Sequence, residues 1–163
     1  KKPSDQNKYI NIFGRLNNKR ISRYIRKDYV NDVENLGYWK VFIPQANGNG
    51  TFGETISQPE IEGPGVGHTE TFISIGKFEN RNSAENVLKY ISTKFARTLL
   101  SILKVTQNGN KPVWKYVPMQ DFTASSDIDW SKSVHEIDLQ LYKKYGLDEQ
   151  EINFIESHVK EMA

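Results

Sequence analysis

The apolar periodicity of residues 84–105 is the strongest constraint that the sequence places on its fold. Apolar side chains recur there at steps of three and four residues, which aligns them along one face of an α-helix. Ser83 precedes them as a potential N-cap. The pattern therefore predicts one long helix, whose apolar face must be covered by the rest of a 163-residue chain.

Several segments rich in β-branched and aromatic residues predict strands that could cover this helix. They are residues 9–13, 20–25, 37–44, 69–76 and 113–118. A turn-like stretch, residues 14–19, separates the first two, and a Gly- and Asn-rich loop follows Pro44. The expected fold class is α+β, with a small mixed sheet packed on the long central helix.

The last forty residues contain the helix-capping and helix-ending residues typical of a helical hairpin. The first helix is predicted over residues 135–145 and ends at Gly146, while Asp148 and Glu151 form a capping box for the second. The sequence thus predicts two parts. Residues 1–120 form an α+β domain, and residues 121–163 form a loop and a helical hairpin that serve as a packing module.

Charge is distributed unevenly along the chain. Residues 1–40 carry a net charge of +6, residues 41–120 carry +2 and residues 121–163 carry −6, within a formal total of +2. The gradient predicts a basic face for a polyanion and an acidic module directed elsewhere. Solvated charge without a partner remains the alternative.

Composition excludes several classes of protein. The chain has no cysteine, which rules out disulfides and zinc–thiolate sites and fits a reducing cytoplasm. No apolar run approaches the roughly 18 residues that a membrane span requires, so no membrane partner is expected. Because the chain starts at Lys1 in a polar stretch, we expect it to be a piece of a longer protein.

The motifs of catalysis are missing from the sequence. It has no Pro-Pro pair of the kind that amino-methylating enzymes use to hold a flipped base, and Pro64 interrupts the glycines at 63, 65 and 67 that superficially resemble a nucleotide-binding loop. Its three histidines are far apart and no acid-x-lysine triplet occurs, so neither a metal nor a nuclease site is predicted. We expect no catalytic residue within this chain.

DNA recognition requires cations for phosphates and adaptable polar side chains for base edges. The phosphate candidates are Arg15, Lys19, Arg20, Arg23 and Arg26 near the N-terminus, and Lys94, Arg97 and Lys104 along the long helix. The base-reading candidates are Gln45, Asn47, Asn49, His68, Gln107, Asn108 and Lys111. A merely solvated helix face is the alternative for the second group of cations.

Longer phrases in residues 38–162 add a family resemblance. They read, in order, WKVFIPQANGNGTFGE, GHTETFISIGKF, KYISTKFARTLLSILKVTQN, WKYVPMQDF, SDIDWS and IDLQLYKKYGLDEQEINFIE. Together they resemble the C-terminal, target-recognition region of adenine-specific DNA methyltransferases of type II restriction-modification systems. The resemblance covers about three quarters of the chain.

The resemblance implies a division of labour within a longer bacterial protein. An N-terminal Rossmann-like domain would bind S-adenosylmethionine and methylate adenine N6, while the region seen here would select the DNA sequence. No cofactor is then expected in this chain, and its partners would be double-stranded DNA and the catalytic domain of the same parent chain. The alternative is a protein-interaction or structural module that docks on the methylase or nuclease part of the same system.

Overall fold

The computed structural model describes residues 2–31, 34–103 and 111–162 and has an α+β fold. The strands are β1 (Tyr9–Leu16), β2 (Lys19–Arg26), β3 (Trp39–Pro44), β4 (Glu60–Glu62), β5 (Val66–His68) and β6 (Phe72–Phe78). The helices are α1 (Arg81–Ser92), α2 (Lys94–Leu103), α3 (Lys111–Trp114), α4 (Val134–Tyr145) and α5 (Glu149–His158). The predicted fold class is therefore confirmed.

The first sheet is built on an N-terminal β-hairpin and has the order β2-β1-β5. Asn17 and Asn18 connect the two antiparallel strands, and both have left-handed backbones, with φ of 49° and 61°. Two such residues make the tight turn that suits the twist of a hairpin. β5 runs parallel to β1 and pairs with it only from Asn11 to Phe13. The predicted strands 9–13 and 20–25 are confirmed and are longer than expected.

The second sheet has the order β4-β3-β6 and is antiparallel throughout. Side chains alternate across β3, so that Val41 and Ile43 join the main core beside α1, whereas Phe42 faces Phe13 of the first sheet. The prediction of a single mixed sheet packed on the central helix is corrected here. The strands form two sheets, and the sheet that packs on α1 is the antiparallel one. β3 already has a neighbour on each side, so no edge remains there for the hairpin.

The long helix predicted over residues 84–105 is also corrected. It is broken at Thr93, whose backbone is extended with φ of −60° and ψ of 150°. The Thr93 hydroxyl donates to the Tyr90 carbonyl at 2.6 Å and accepts from the Ala96 amide at 3.1 Å, so it caps both helix ends. The apolar periodicity continues through the break because α1 and α2 both contribute side chains to the main core.

Two local predictions are wrong in detail. The N-cap of α1 is Asn80, whose side chain accepts from the Ser83 amide at 2.9 Å, so Ser83 is the residue that is capped. Residues 113–118, predicted as a strand, contain the end of α3 and a turn, in which the Val117 amide donates to the Trp114 carbonyl. Trp114 and Val117 of this segment pack on the main core without pairing as a strand, whereas Tyr116 is exposed.

The predicted C-terminal hairpin is confirmed. Gly146 ends α4 with a left-handed φ of 67°, and Asp148 and Glu151 form the capping box of α5. Its buried side chains, Ile137, Leu141, Tyr142, Ile155 and Val159, belong to the same hydrophobic cluster as β3 and α1. The hairpin therefore shares the main core. None of the helices in the described part of the chain combines the length and the apolar composition that crossing a bilayer requires.

A buried carboxylate starts α2. Asp138 of α4 is 1% exposed and accepts hydrogen bonds from the Lys94 and Phe95 amides at 2.9 and 2.8 Å. These are two of the amides that a helix leaves unpaired at its N-terminus. Burial raises the pKa of Asp138 to about 6, although the two amides oppose this change.

Arg97 connects the break between α1 and α2 to the rest of the chain. It is 1% exposed, and burial lowers the pKa of its guanidinium. The guanidinium donates to the carbonyls of Ser92 at 3.1 Å, Gly53 at 3.2 Å and Lys160. Arg97 therefore joins the end of α1, the loop after β3 and the segment after α5.

We predict that Asp138→Ala lowers the free energy of unfolding by about 3 to 5 kcal/mol, because two buried amides lose their acceptor and the buried Arg97 guanidinium loses a nearby opposite charge. Urea unfolding measures the change. Asp127→Ala is the control, since it removes an exposed carboxylate paired with Lys144 and should cost about 1 kcal/mol or less. Equal losses in the two variants would contradict the role given to Asp138.

The pKa of Asp138 also predicts a dependence of stability on pH. Its folded value of about 6 lies above the ordinary 3.8, so between these values the folded state binds more protons than the unfolded state. We expect the stability of the wild type relative to Asp138→Asn to fall as pH rises through this window and then to level off. Urea unfolding of both proteins across the window measures this, and a relative stability that rises with pH would contradict it.

Candidate nucleic-acid interface

The end of the β1–β2 hairpin is an exposed basic part of the N-terminal third of the chain. All five residues of this hairpin tip, residues 15–19, are exposed. Cross-strand neighbours share a face of the hairpin, so Arg15 lies on the face of Arg20, while Lys19 and Arg23 lie on the opposite face. Cations therefore flank the tip on both sides.

Three of the N-terminal phosphate candidates are available to a ligand. Arg15, Lys19 and Arg23 are exposed and form no ion pair with any described residue. The Arg15 guanidinium lies 5.9 Å from the centroid of the Phe72 ring, which holds it near the body of the protein. These three side chains keep their charge open to solvent.

The other two N-terminal candidates are engaged within the chain. Arg20 forms an ion pair with Glu60 and donates to the Gln58 carbonyl at 2.6 Å. Arg26 forms an ion pair with Asp28 and lies 4.8 Å from the centroid of the Tyr29 ring. Arg20 thus anchors the hairpin to the second sheet, while half-exposed Arg26 has a local partner at the far end of β2.

Two base-reading candidates lie beside the hairpin. The Gln45 backbone amide donates to the Thr71 carbonyl at 3.0 Å, which places Gln45 next to Phe72. The Gln45 carboxamide itself has no hydrogen-bond partner among the described residues. The His68 Nδ1–H donates to the Thr69 carbonyl at 2.8 Å, which leaves Nε2 as an acceptor. Its ring meets the edge of Phe42. The structure therefore brings Gln45 and His68 to the side of the molecule where Arg15 lies over Phe72.

Two candidates in the loop after β3 behave differently. Asn47 is buried, donates to the Thr55 carbonyl at 2.9 Å and accepts from the Ser57 amide at 2.6 Å. The prediction that Asn47 reads bases is therefore wrong, because its carboxamide is buried and bonds to the backbone of its own loop. Asn49 is exposed, but its side-chain oxygen accepts from the Thr51 amide at 3.0 Å.

The cation stripe expected along the long helix is not on the surface. Arg97 is enclosed by backbone carbonyls, and Lys94 forms a largely buried ion pair with Glu156 at 2.5 Å. Both are corrected as phosphate contacts, because α4, α5 and the segment after α5 cover this face of α2. Lys104, Gln107 and Asn108 fall outside the described residues. Lys111 begins α3, but the description does not extend to its side chain.

Other polar groups that could suggest catalysis act in folding. The Ser133 hydroxyl caps α4 at the Glu136 amide, and Asp127 forms an ion pair with Lys144 at 2.8 Å. In the part of the chain that the structure describes, no three metal-ligating side chains cluster to form a potential ion site.

Sequence patterns did not single out two features of this region. Lys40 is buried, donates to the carbonyls of Tyr38 and Gly63 at 2.9 Å, and has a pKa lowered to about 8 by burial. The exposed amides of Asn17 and Asn18 occupy the hairpin tip. The second feature had a signal, since an Asn-Asn pair between two β segments is typical of a tight hairpin turn.

Because Arg97 is buried and Arg23 is exposed, replacing each by alanine should change the free energy of unfolding by different amounts. Arg97→Ala should lower the free energy of unfolding by about 3 kcal/mol or more, because buried carbonyls lose their donor. Arg23→Ala, its matched control, should change it by about 0.5 kcal/mol or less. Urea unfolding measures both, and similar effects would show that the division into buried and free cations is wrong.

Comparison with known proteins finds no family model, curated protein or solved structure that matches this chain. The functional interpretation therefore depends on the residues of the hairpin and the neighbouring loops.

Proposed function

We propose that this chain recognises duplex DNA, as the target-recognition region of an adenine-specific DNA methyltransferase of a restriction-modification system. One observation carries the proposal, namely the cations Arg15, Lys19 and Arg23, which form no ion pair with the described residues and surround the tip of a hairpin whose Phe13 pairs with His68. The ordered phrases of residues 38–162 support the choice of family.

Electrostatics gives the hairpin its part in binding. A cation that contacts a phosphate releases condensed counterions, which supplies affinity that does not depend on sequence. Arg15 lies on one face of the hairpin, and Lys19 and Arg23 lie on the other. Phosphates on both sides of an inserted hairpin could therefore be contacted. The strongly acidic residues 121–163, with a net charge of −6, fold against α1 and α2.

Base reading would come from the loops beside the hairpin. Gln45 can present a carboxamide to an adenine edge, and the free Nε2 of His68 can accept from a base amino group. The site would then hold a duplex in register while another domain acts on the adenine. That catalytic domain, with its S-adenosylmethionine, would belong to the same parent chain and would act in the bacterial cytoplasm.

A docking role on the methylase or nuclease part of the same system is the second candidate. It is favoured by an open apolar cleft of about 600 Å³ between α2 and α5, which Phe52, Leu99, Ile102 and Phe154 help to line. Ile102 is 64% exposed and Phe154 is 49% exposed, values that are high for large apolar side chains. Because the cleft and the hairpin lie on different elements, both roles could be present in one chain.

The salt dependence of duplex binding tests the proposed function. We expect log Kd to rise with log salt concentration, and the slope to fall by about 1 for each phosphate contact removed. The double variant Lys19→Ala/Arg23→Ala should therefore lose about two units of slope in fluorescence anisotropy with a labelled random-sequence duplex.

Lys143→Ala is the matched control, since it removes an exposed lysine from α4 and should leave the slope unchanged. Failure of the wild type to bind duplex at about 50 mM salt would contradict the proposed function. An unchanged slope in the double variant would contradict the assignment of the hairpin.

A further inference from the structure

We propose that the hairpin tip enters the DNA major groove as a two-stranded ribbon and that the side-chain amides of Asn17 and Asn18 read base edges there. This inference rests on the proposed function and names the element that selects the sequence. It assigns base reading to Asn17 and Asn18, which the sequence pattern alone identifies only as part of a turn.

The shape of the hairpin fits this role. β1 pairs with β5 only from Asn11 to Phe13, so beyond Phe13 its ladder contains β2 alone. Beyond Phe13 this part of the sheet is two strands wide, and it ends in the five exposed residues 15–19. Paired strands lie about 4.8 Å apart, and the major groove, about 12 Å wide, admits such a ribbon.

The base of the ribbon is held firmly, so the tip has a defined direction. Arg20 is bound to Glu60 and to the Gln58 carbonyl of the opposite sheet. Gly14 packs against Thr69 so closely that an added Cβ would lie 2.9 Å from the threonine methyl carbon. A hairpin held at its base loses less backbone conformational entropy on binding than a free loop would.

The chemistry of the tip is that of base recognition. The side-chain amides of Asn17 and Asn18 make no hydrogen bond with the described residues, and an asparagine amide can bind N6 and N7 of adenine together. Leu16, which is 53% exposed, could contact a thymine methyl group. Arg15 and Lys19 flank these side chains on opposite faces, where they could contact phosphates on both sides of the groove.

A purely structural role for the two asparagines can be separated from base reading. Both have left-handed backbones, which asparagine tolerates and glycine adopts without strain. Replacement by glycine therefore keeps the turn and removes only the amide. Asn17→Gly and Asn18→Gly should fold as the wild type does, which circular dichroism and urea unfolding can verify.

The experiment is selection by the full 163-residue chain from a pool of duplexes with a random central region, followed by sequencing of the bound DNA. We expect the wild type to enrich a preferred sequence that contains adenine. The glycine variants should lose discrimination at one or more positions by about tenfold or more, while their affinity for the unselected pool stays within about threefold. Asn153→Ala, which removes an exposed amide from α5, is the control and should select as the wild type does.

The outcomes separate this inference from the proposed function. Absence of any duplex binding by the wild type would overturn both. Unchanged selection in the glycine variants, or duplex binding by the wild type without sequence preference, would overturn the ribbon and leave electrostatic DNA binding in place. An equal loss of affinity for all sequences would also overturn it, because the amides would then contribute no base reading.

Discussion

The hydrogen bonds of the buried Arg97 guanidinium are the interactions on which the packing of the described residues depends. The Arg97 side chain binds carbonyls at the end of α1, in the loop after β3 and in the segment after α5, so three distant parts of the chain meet at one guanidinium. The nearby Asp138 carboxylate offsets part of the cost of burying this charge and pairs the first amides of α2. The break between α1 and α2 can persist because its polar groups have partners.

The described cations of this chain include a buried group and an exposed group, and only the exposed group can contact a ligand. Lys94, Arg97 and Lys40 are buried and bound by groups of the same chain, whereas Arg15, Lys19 and Arg23 remain in solvent around the hairpin. The exposed basic surface formed by these three cations is thus smaller than composition implies, and it lies on an element that Arg20 joins to the second sheet. We propose that phosphate contacts and base contacts come from the exposed tip of this hairpin and from the loops beside the hairpin.

Sequence reasoning succeeded where the deciding partners are close in the chain. The two strands of the N-terminal hairpin, the end of α4 at Gly146 and the capping box of Asp148 with Glu151 follow from residues within a few positions of one another. It failed where partners are distant, because the break at Thr93 depends on Asp138, 44 residues from the Lys94 amide that it caps. At the candidate site, the exposure of Lys19 and Arg23 agrees with the sequence-based expectation. The burial of Asn47 could not be predicted, since its loop partners are not evident from composition.

The most direct test of the account is a nuclear magnetic resonance titration of the ¹⁵N-labelled chain with a random-sequence duplex at low salt. The account predicts that amide shifts concentrate in residues 14–23 and around Gln45 and His68, and that the amides of α2 and α5 change little. Shifts centred on α2 and α5, with the hairpin amides unchanged, would contradict the claim that the basic hairpin is the DNA-binding surface.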